Sequence, residues 1–157
     1  FAAKVDALDA AMAEATATIP EEQRKLVTYH DAYAYFAVHY GFTVIGALQP
    51  SSFDEPTPKD IADLIEQIKA EGVKAIFGSE VFPSPVLEQI GAETSVRYID
   101  VLRDDDLIGE PGDAEHSWLG LMRFNFATMV EALGGDASSL NSVDVSDVVK
   151  DTAVYPQ

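Results

Sequence analysis

Four short apolar segments, at 26–29, 42–48, 73–78 and 96–102, alternate along the chain with stretches of helical periodicity. That alternation constrains the fold more than any other feature. Parallel neighbours cannot be joined by a tight turn and need a crossover, usually a helix of ten or more residues. Strand–helix units repeated four times therefore predict an α/β fold: a four-stranded parallel sheet with helices on both faces. The segment 42–48, FTVIGAL, is nearly continuous in apolar residues, as expected of a strand covered on both sides.

The helical stretches carry start and stop signals. Residues 1–18 place Val5, Leu8 and Met12 among alanines, with no capping residue before Phe1. They read as the end of a longer helix whose natural start lies elsewhere. A helix is expected over 31–39, closed by Gly41 in a left-handed cap. Thr57, Pro58 and Asp60 mark a third start, followed by the stripe Ile61, Leu64, Ile65 and Ile68 and a stop at Gly72. Ser84-Pro85 opens a fourth helix to about residue 92. A last one spans 117–133, with Trp118, Leu121, Met122, Met129, Val130 and Leu133 available to the core. Residues 136–157 alternate small polar and β-branched side chains and read as an extended tail lying on the domain.

Composition excludes several functions. Ten basic residues stand against 27 acidic ones, for a net charge of −17, and such a surface repels nucleic-acid backbones. The chain has no cysteine, so disulfides and thiolate metal sites are impossible. No apolar run approaches the roughly 18 residues that a membrane-spanning helix needs. Catalytic signatures are also missing: there is no Gly-x-Ser-x-Gly elbow, Walker-type loop or GxGxxG fingerprint.

Ligands of open parallel sheets bind beyond the carboxyl ends of the strands. The strand ends here deliver His30, then Gln49, then Ser79 and Glu80, then Arg103 with Asp104, Asp105 and Asp106. Imidazole and carboxylate together are a partial ligand set for zinc or manganese. Taken singly, each residue has a plainer reading. His30 could be a hydrogen-bonded histidine at a strand end, Glu80 a cap or ion-pair partner, and the aspartates a solvated loop. His39 reads as a solvent-facing histidine. A small α/β enzyme using His30 with Asp105 or Glu80 as an acid–base pair is the alternative, although no nucleophile completes a mechanism.

The stretch LVTYHDAYAYFAVHYG at 26–41 resembles a signature of the metal-binding solute receptors of ABC importers. The segment 57–96, TPKDIADLIEQIKAEGVKAIFGSEVFPSPVLEQIGAETSV, is similar to the middle of the same family, and SWLGLMRFNFATMVEAL, containing Asn125, to its last helix. The resemblance covers residues 1 to about 134. It implies a two-lobed receptor holding one divalent metal ion, with no catalysis. Residues 1–18 would be the end of the interlobe helix, 19–134 the C-terminal metal-binding lobe, and 135–157 a tail packed on it.

By the same resemblance His30 matches the third metal ligand and Asp105 the fourth, with Asp104 and Asp106 as neighbouring registers. Glu80 and His116, the latter in the long loop before the last helix, are further candidates. A histidine at the third position tilts the metal to zinc, with manganese the other possibility. The implied partners are an N-terminal lobe with no counterpart in this chain, which would supply two more ligands, and the importer's permease. The implied location is periplasmic or at the cell surface, with a lipid anchor at the missing N-terminus.

Overall fold

A computed structural model describes residues 1–49, 56–79, 83–103 and 106–146. Helix α1 (Ala2–Ala17) comes first, followed by a 3-10 turn at Glu21–Gln23. Four strand–helix units follow: β1 (Lys25–His30) and α2 (Ala34–Tyr40), β2 (Thr43–Gln49) and α3 (Pro58–Glu71), β3 (Ala75–Ser79) and α4 (Pro85–Thr94), β4 (Arg97–Leu102) and α5 (Trp118–Ala132). A short helix α6 (Ser138–Asn141) lies beyond them. The strands form one parallel sheet in the order β2-β1-β3-β4, as the alternation predicts. Among the described residues no helix is long and apolar enough to cross a membrane.

Strand periodicity divides the core in two. Leu26 and Phe77 point to a cluster with Leu8, Met12, Phe126, Met129 and Leu140, contributed by α1, α5 and α6. Their chain neighbours Val27 and Ile76 point the other way, into a cluster with Leu64, Ile68, Leu87 and Ile90 from α3 and α4. Successive side chains on a strand face opposite sides, so helices cover both faces of the sheet.

The expected caps are present. Thr57 and Asp60 form a reciprocal capping box at α3, with Pro58 at its first position. The hydroxyls of Ser84 and Ser117 accept backbone N–H groups at the starts of α4 and α5. Gly41 and Gly72 close α2 and α3 at φ of 76° and 62°, a region that glycine enters without a Cβ clash.

Three expectations need correction. Helix α2 begins at Ala34, not at residue 31, because the His30 carbonyl is taken by the Ala32 N–H at 3.0 Å in a turn. The described part of the tail, residues 136–146, is not simply extended: Leu140 of α6 is fully buried, and Ala137 and Val145 join the core; residues 147–157 lie outside the described residues. Three contacts fasten this region to α1. Thr18 Oγ1 accepts from Asp136 N at 2.7 Å, Ser139 Oγ donates to Ala11 O, and Lys4 pairs with Asp144. Trp118 is not a core residue. It is 48% exposed and lies against Phe1, because it is the first residue of α5 and falls on the outer side of that turn.

Candidate metal centre

In the order β2-β1-β3-β4 the chain moves from β1 to one side and then returns to the other. The topological switch point therefore falls between the carboxyl ends of β1 and β3, where such sheets open a crevice. A cavity of about 130 Å³ lies there, lined by Thr28, His30, Tyr33, Gly78, Ser79 and Leu102 among others. The last residues of β1 and β3 there, His30 and Ser79, are both polar, and Ser79 is buried.

His30 is the last residue of β1 and half-buried. It faces Gln49 across the β1–β2 ladder. Its main chain is held twice, since the carbonyl accepts from Thr28 Oγ1 at 2.7 Å as well as from Ala32 N. Its ring meets Tyr29 edge-on, with centroids 4.6 Å apart at 83°. The imidazole thus stands at the mouth of the crevice on an anchored backbone. That is the placement a metal ligand needs.

Behind the crevice, on the α3–α4 face of the sheet, Gly78 has no room for a side chain. A Cβ on Gly78 would fall 2.7 Å from the Tyr98 hydroxyl oxygen and 2.8 Å from its ring. Tyr98 can lie flat there only over glycine. Its hydroxyl accepts the Ser84 N–H at 3.2 Å, tying β4 to the start of α4. Burial pushes the Tyr98 phenol up.

Of the other sequence-expected ligands, Glu80, Asp104 and Asp105 lie outside the described residues. Asp106 is exposed. His116 is half-buried, and its Nδ1 meets the Ile108 carbonyl at 3.0 Å. A carbonyl can only accept, so Nδ1 is the donor and Nε2 is the ring nitrogen left for another partner. Metal-binding histidines are commonly oriented in this way. The loop around His116 is packed closely: a Cβ on Gly120 would collide with the Glu115 carbonyl, and Asp113 accepts the Glu110 N–H at 2.9 Å. Among the described residues, no three His, Cys, Asp or Glu side chains are grouped to hold a metal ion.

His39 takes a different role. It is largely exposed on α2, and its Nε2 lies 2.7 Å from Asp9 Oδ1 on α1. The same oxygen accepts the Tyr40 hydroxyl at 2.7 Å. The Tyr40 bond, then the His39 bond, hold the Asp9 carboxyl below its ordinary range, while burial and then Asp9 push the Tyr40 phenol up. Spacing alone gave no signal of this link, because Asp9 and His39 are 30 residues apart. A second feature also lay beyond sequence reasoning: the Asn125 side chain of α5 bonds both backbone groups of Arg103, at 2.9 Å and 2.7 Å.

Known proteins share this fold. Residues 1–132 match the family described as ZnuA, zinc-uptake complex component A periplasmic. The chain is 32% identical over 134 residues to the zinc-binding protein TroA of Treponema pallidum, covering 83% of this chain and 44% of that protein. It is 29% identical over 134 residues to the iron-binding protein YfeA of Yersinia pestis, covering 85% and 43%. A solved structure of the periplasmic zinc-binding protein TroA from Treponema pallidum superposes with a TM-score of 0.71 at 33% identity, covering 83% of this chain and 48% of that one. The chain spans less than half the length of these relatives. The matched segment includes the whole parallel sheet and α1 to α5, and on that ground the chain belongs to the family of periplasmic zinc-uptake component A proteins.

Proposed function

We propose that this chain is the C-terminal lobe of an extracytoplasmic receptor that binds a divalent metal ion and hands it to an ABC-type membrane importer. What carries the reading is His30, an imidazole on an anchored strand end at the switch point of a sheet belonging to this family. Relatives are described as zinc-, manganese- and iron-binding. Zinc is favoured here because imidazole suits it well, with manganese second.

In this reading His30 and Asp105 are ligands. Residues 1–18 end the interlobe helix, 19–134 form the metal-binding lobe and 135–157 pack on it. Packing of α1 through Leu8, Met12 and Ala15 onto the lobe supports that division. The partners are a complementary N-terminal lobe and the importer's permease, in the periplasm or at the cell surface. The −17 charge favours cations over nucleic acid. The relatives named above are described as binding proteins, which weighs against a small α/β enzyme.

Two ligands on an open crevice leave a cation mostly hydrated, because affinity comes from completing the shell. Calorimetric titration of the chain with zinc should therefore give weak, reversible binding that His30→Ala removes. Tight one-to-one binding would contradict the half-site reading, and binding unaffected by His30→Ala would contradict the assignment of His30.

A further inference from the structure

Two cavities meet at the start of α2. One is the crevice at His30, of about 130 Å³. The other, of about 300 Å³, lies between α2 and α5 and is lined by Phe36, Leu121, Met122, Phe126 and Met129 among others. They share two residues, Ala32 and Tyr33. An alanine methyl is too small to divide them, so the Tyr33 ring is the partition.

The main chain on both sides of that ring is fixed. Ala32 N donates to the His30 carbonyl at 3.0 Å, and the Tyr33 carbonyl accepts the Ala37 N–H at 2.8 Å. The side chain is half-buried, and its ring meets Phe36 edge-on with centroids 5.8 Å apart at 86°. Within a helix the preceding turn blocks one χ1 rotamer. Tyr33 is the N-cap residue of α2, at φ −101° and ψ 10°, and no helical turn precedes it. Its ring can therefore rotate about χ1 while the backbone that anchors His30 stays in place.

We propose that Tyr33 is a gate on the crevice. Drawn into the cavity between α2 and α5, its ring widens the space beside the His30 imidazole; in the position seen here it narrows that space. The proposal rests on the metal-site reading above, in which Tyr33 is not a ligand. The gate therefore sets how fast a divalent ion enters and leaves, not how tightly it is held. A minor open state is typically populated at about 10% or less, and passage through it is slowed about tenfold or more in both directions.

The test uses the full chain and zinc chloride, with entry and release rates read from NMR line shapes across a titration. In Tyr33→Ala both rates should rise about tenfold or more at unchanged Kd. Met122→Trp, which fills the second cavity from α5, should slow both. In the metal-free chain, relaxation dispersion of the Tyr33 ring carbons should show exchange on the microsecond-to-millisecond scale usual for lids, and Met122→Trp should quench it. Val130→Ala, a fully buried change on the same helix, should lower the melting temperature but leave the rates alone.

Wild-type rates in Tyr33→Ala overturn the gate, as does a changed Kd at an unchanged entry rate or equal acceleration in Val130→Ala. Ring exchange that survives in Met122→Trp overturns the use of the second cavity as the space the ring enters. His30→Ala separates the two readings. Zinc binding that persists in it overturns the metal-site reading, whereas loss in His30→Ala with unchanged rates in Tyr33→Ala overturns the gate alone.

Discussion

Gly78→Ala is the substitution whose outcome the geometry determines most sharply. In a strand, alanine is ordinarily favoured over glycine by about 0.5–1 kcal/mol, because glycine loses more backbone freedom on folding. Here the new Cβ would stand 2.7 Å from the Tyr98 hydroxyl oxygen and within 3.1 Å of two ring carbons. Overpacking of this kind costs about 1–3 kcal/mol. Moving the ring also breaks the bond from Ser84 N, worth about 1 kcal/mol. The unfavourable contributions win, by about 2 kcal/mol net. For a chain of this length that lowers the melting temperature by about 4–8 °C. Thermal unfolding followed by circular dichroism reads the shift. A second background makes the test specific. With Tyr98→Val already in place the clash is gone, and adding Gly78→Ala should become neutral or stabilising. Residues in contact couple in this way. An unchanged or raised melting temperature in the single variant would refute the reasoning, and so would an equal cost in both backgrounds.

Other consequences follow from the same packing. Leu140→Ala, at a fully buried side chain of α6, should cost about 2–5 kcal/mol, and denaturant unfolding would reveal it. A truly peripheral tail would show almost no change. Asp9 has its carboxyl held below the ordinary value of 3.8, first by Tyr40 and then by His39. Its contribution is therefore complete above that value and is lost as pH falls through the lower, folded-state pKa. Asp9→Asn should lower the melting temperature at pH 6, and the difference from wild type should shrink on acidification below pH 4. The pair is largely exposed, so solvent screening keeps the effect below about 1 kcal/mol. A difference that grew on acidification would contradict the assignment.

Much of the fold was readable because local signals agreed with the global pattern. Thr57-Pro58, Ser84-Pro85 and Ser117 fall at real helix starts, and Gly41 and Gly72 at real ends. Strand positions followed from apolar runs that the two-sided core then explains. The start of α2 was less readable, since Asp31 looks like a cap, but a backbone turn at His30 delays the helix. Leu140 was hidden in a polar neighbourhood, and its burial depends on α1, well over a hundred residues away in sequence. Trp118 misled by its type, because a large aromatic at the first turn of a helix can face outward.

The candidate site divides in the same way. His30 could be found from the rule that strand ends carry ligands, because its position depends only on where β1 stops. The carboxylate partner depends on a loop path that no periodicity encodes. Asn125 was equally silent: its partner is the backbone of Arg103, 22 residues earlier, and an asparagine inside an apolar helix carries no local sign of its partner.

Crystals of the chain grown with zinc and measured at the zinc absorption edge test the central claim most directly. The account predicts an anomalous peak at the mouth of the β1–β3 crevice, about 2.0–2.1 Å from a His30 ring nitrogen, with water completing the shell beside a carboxylate of the 104–106 run. Zinc bound elsewhere, with the His30 imidazole unliganded, would contradict it.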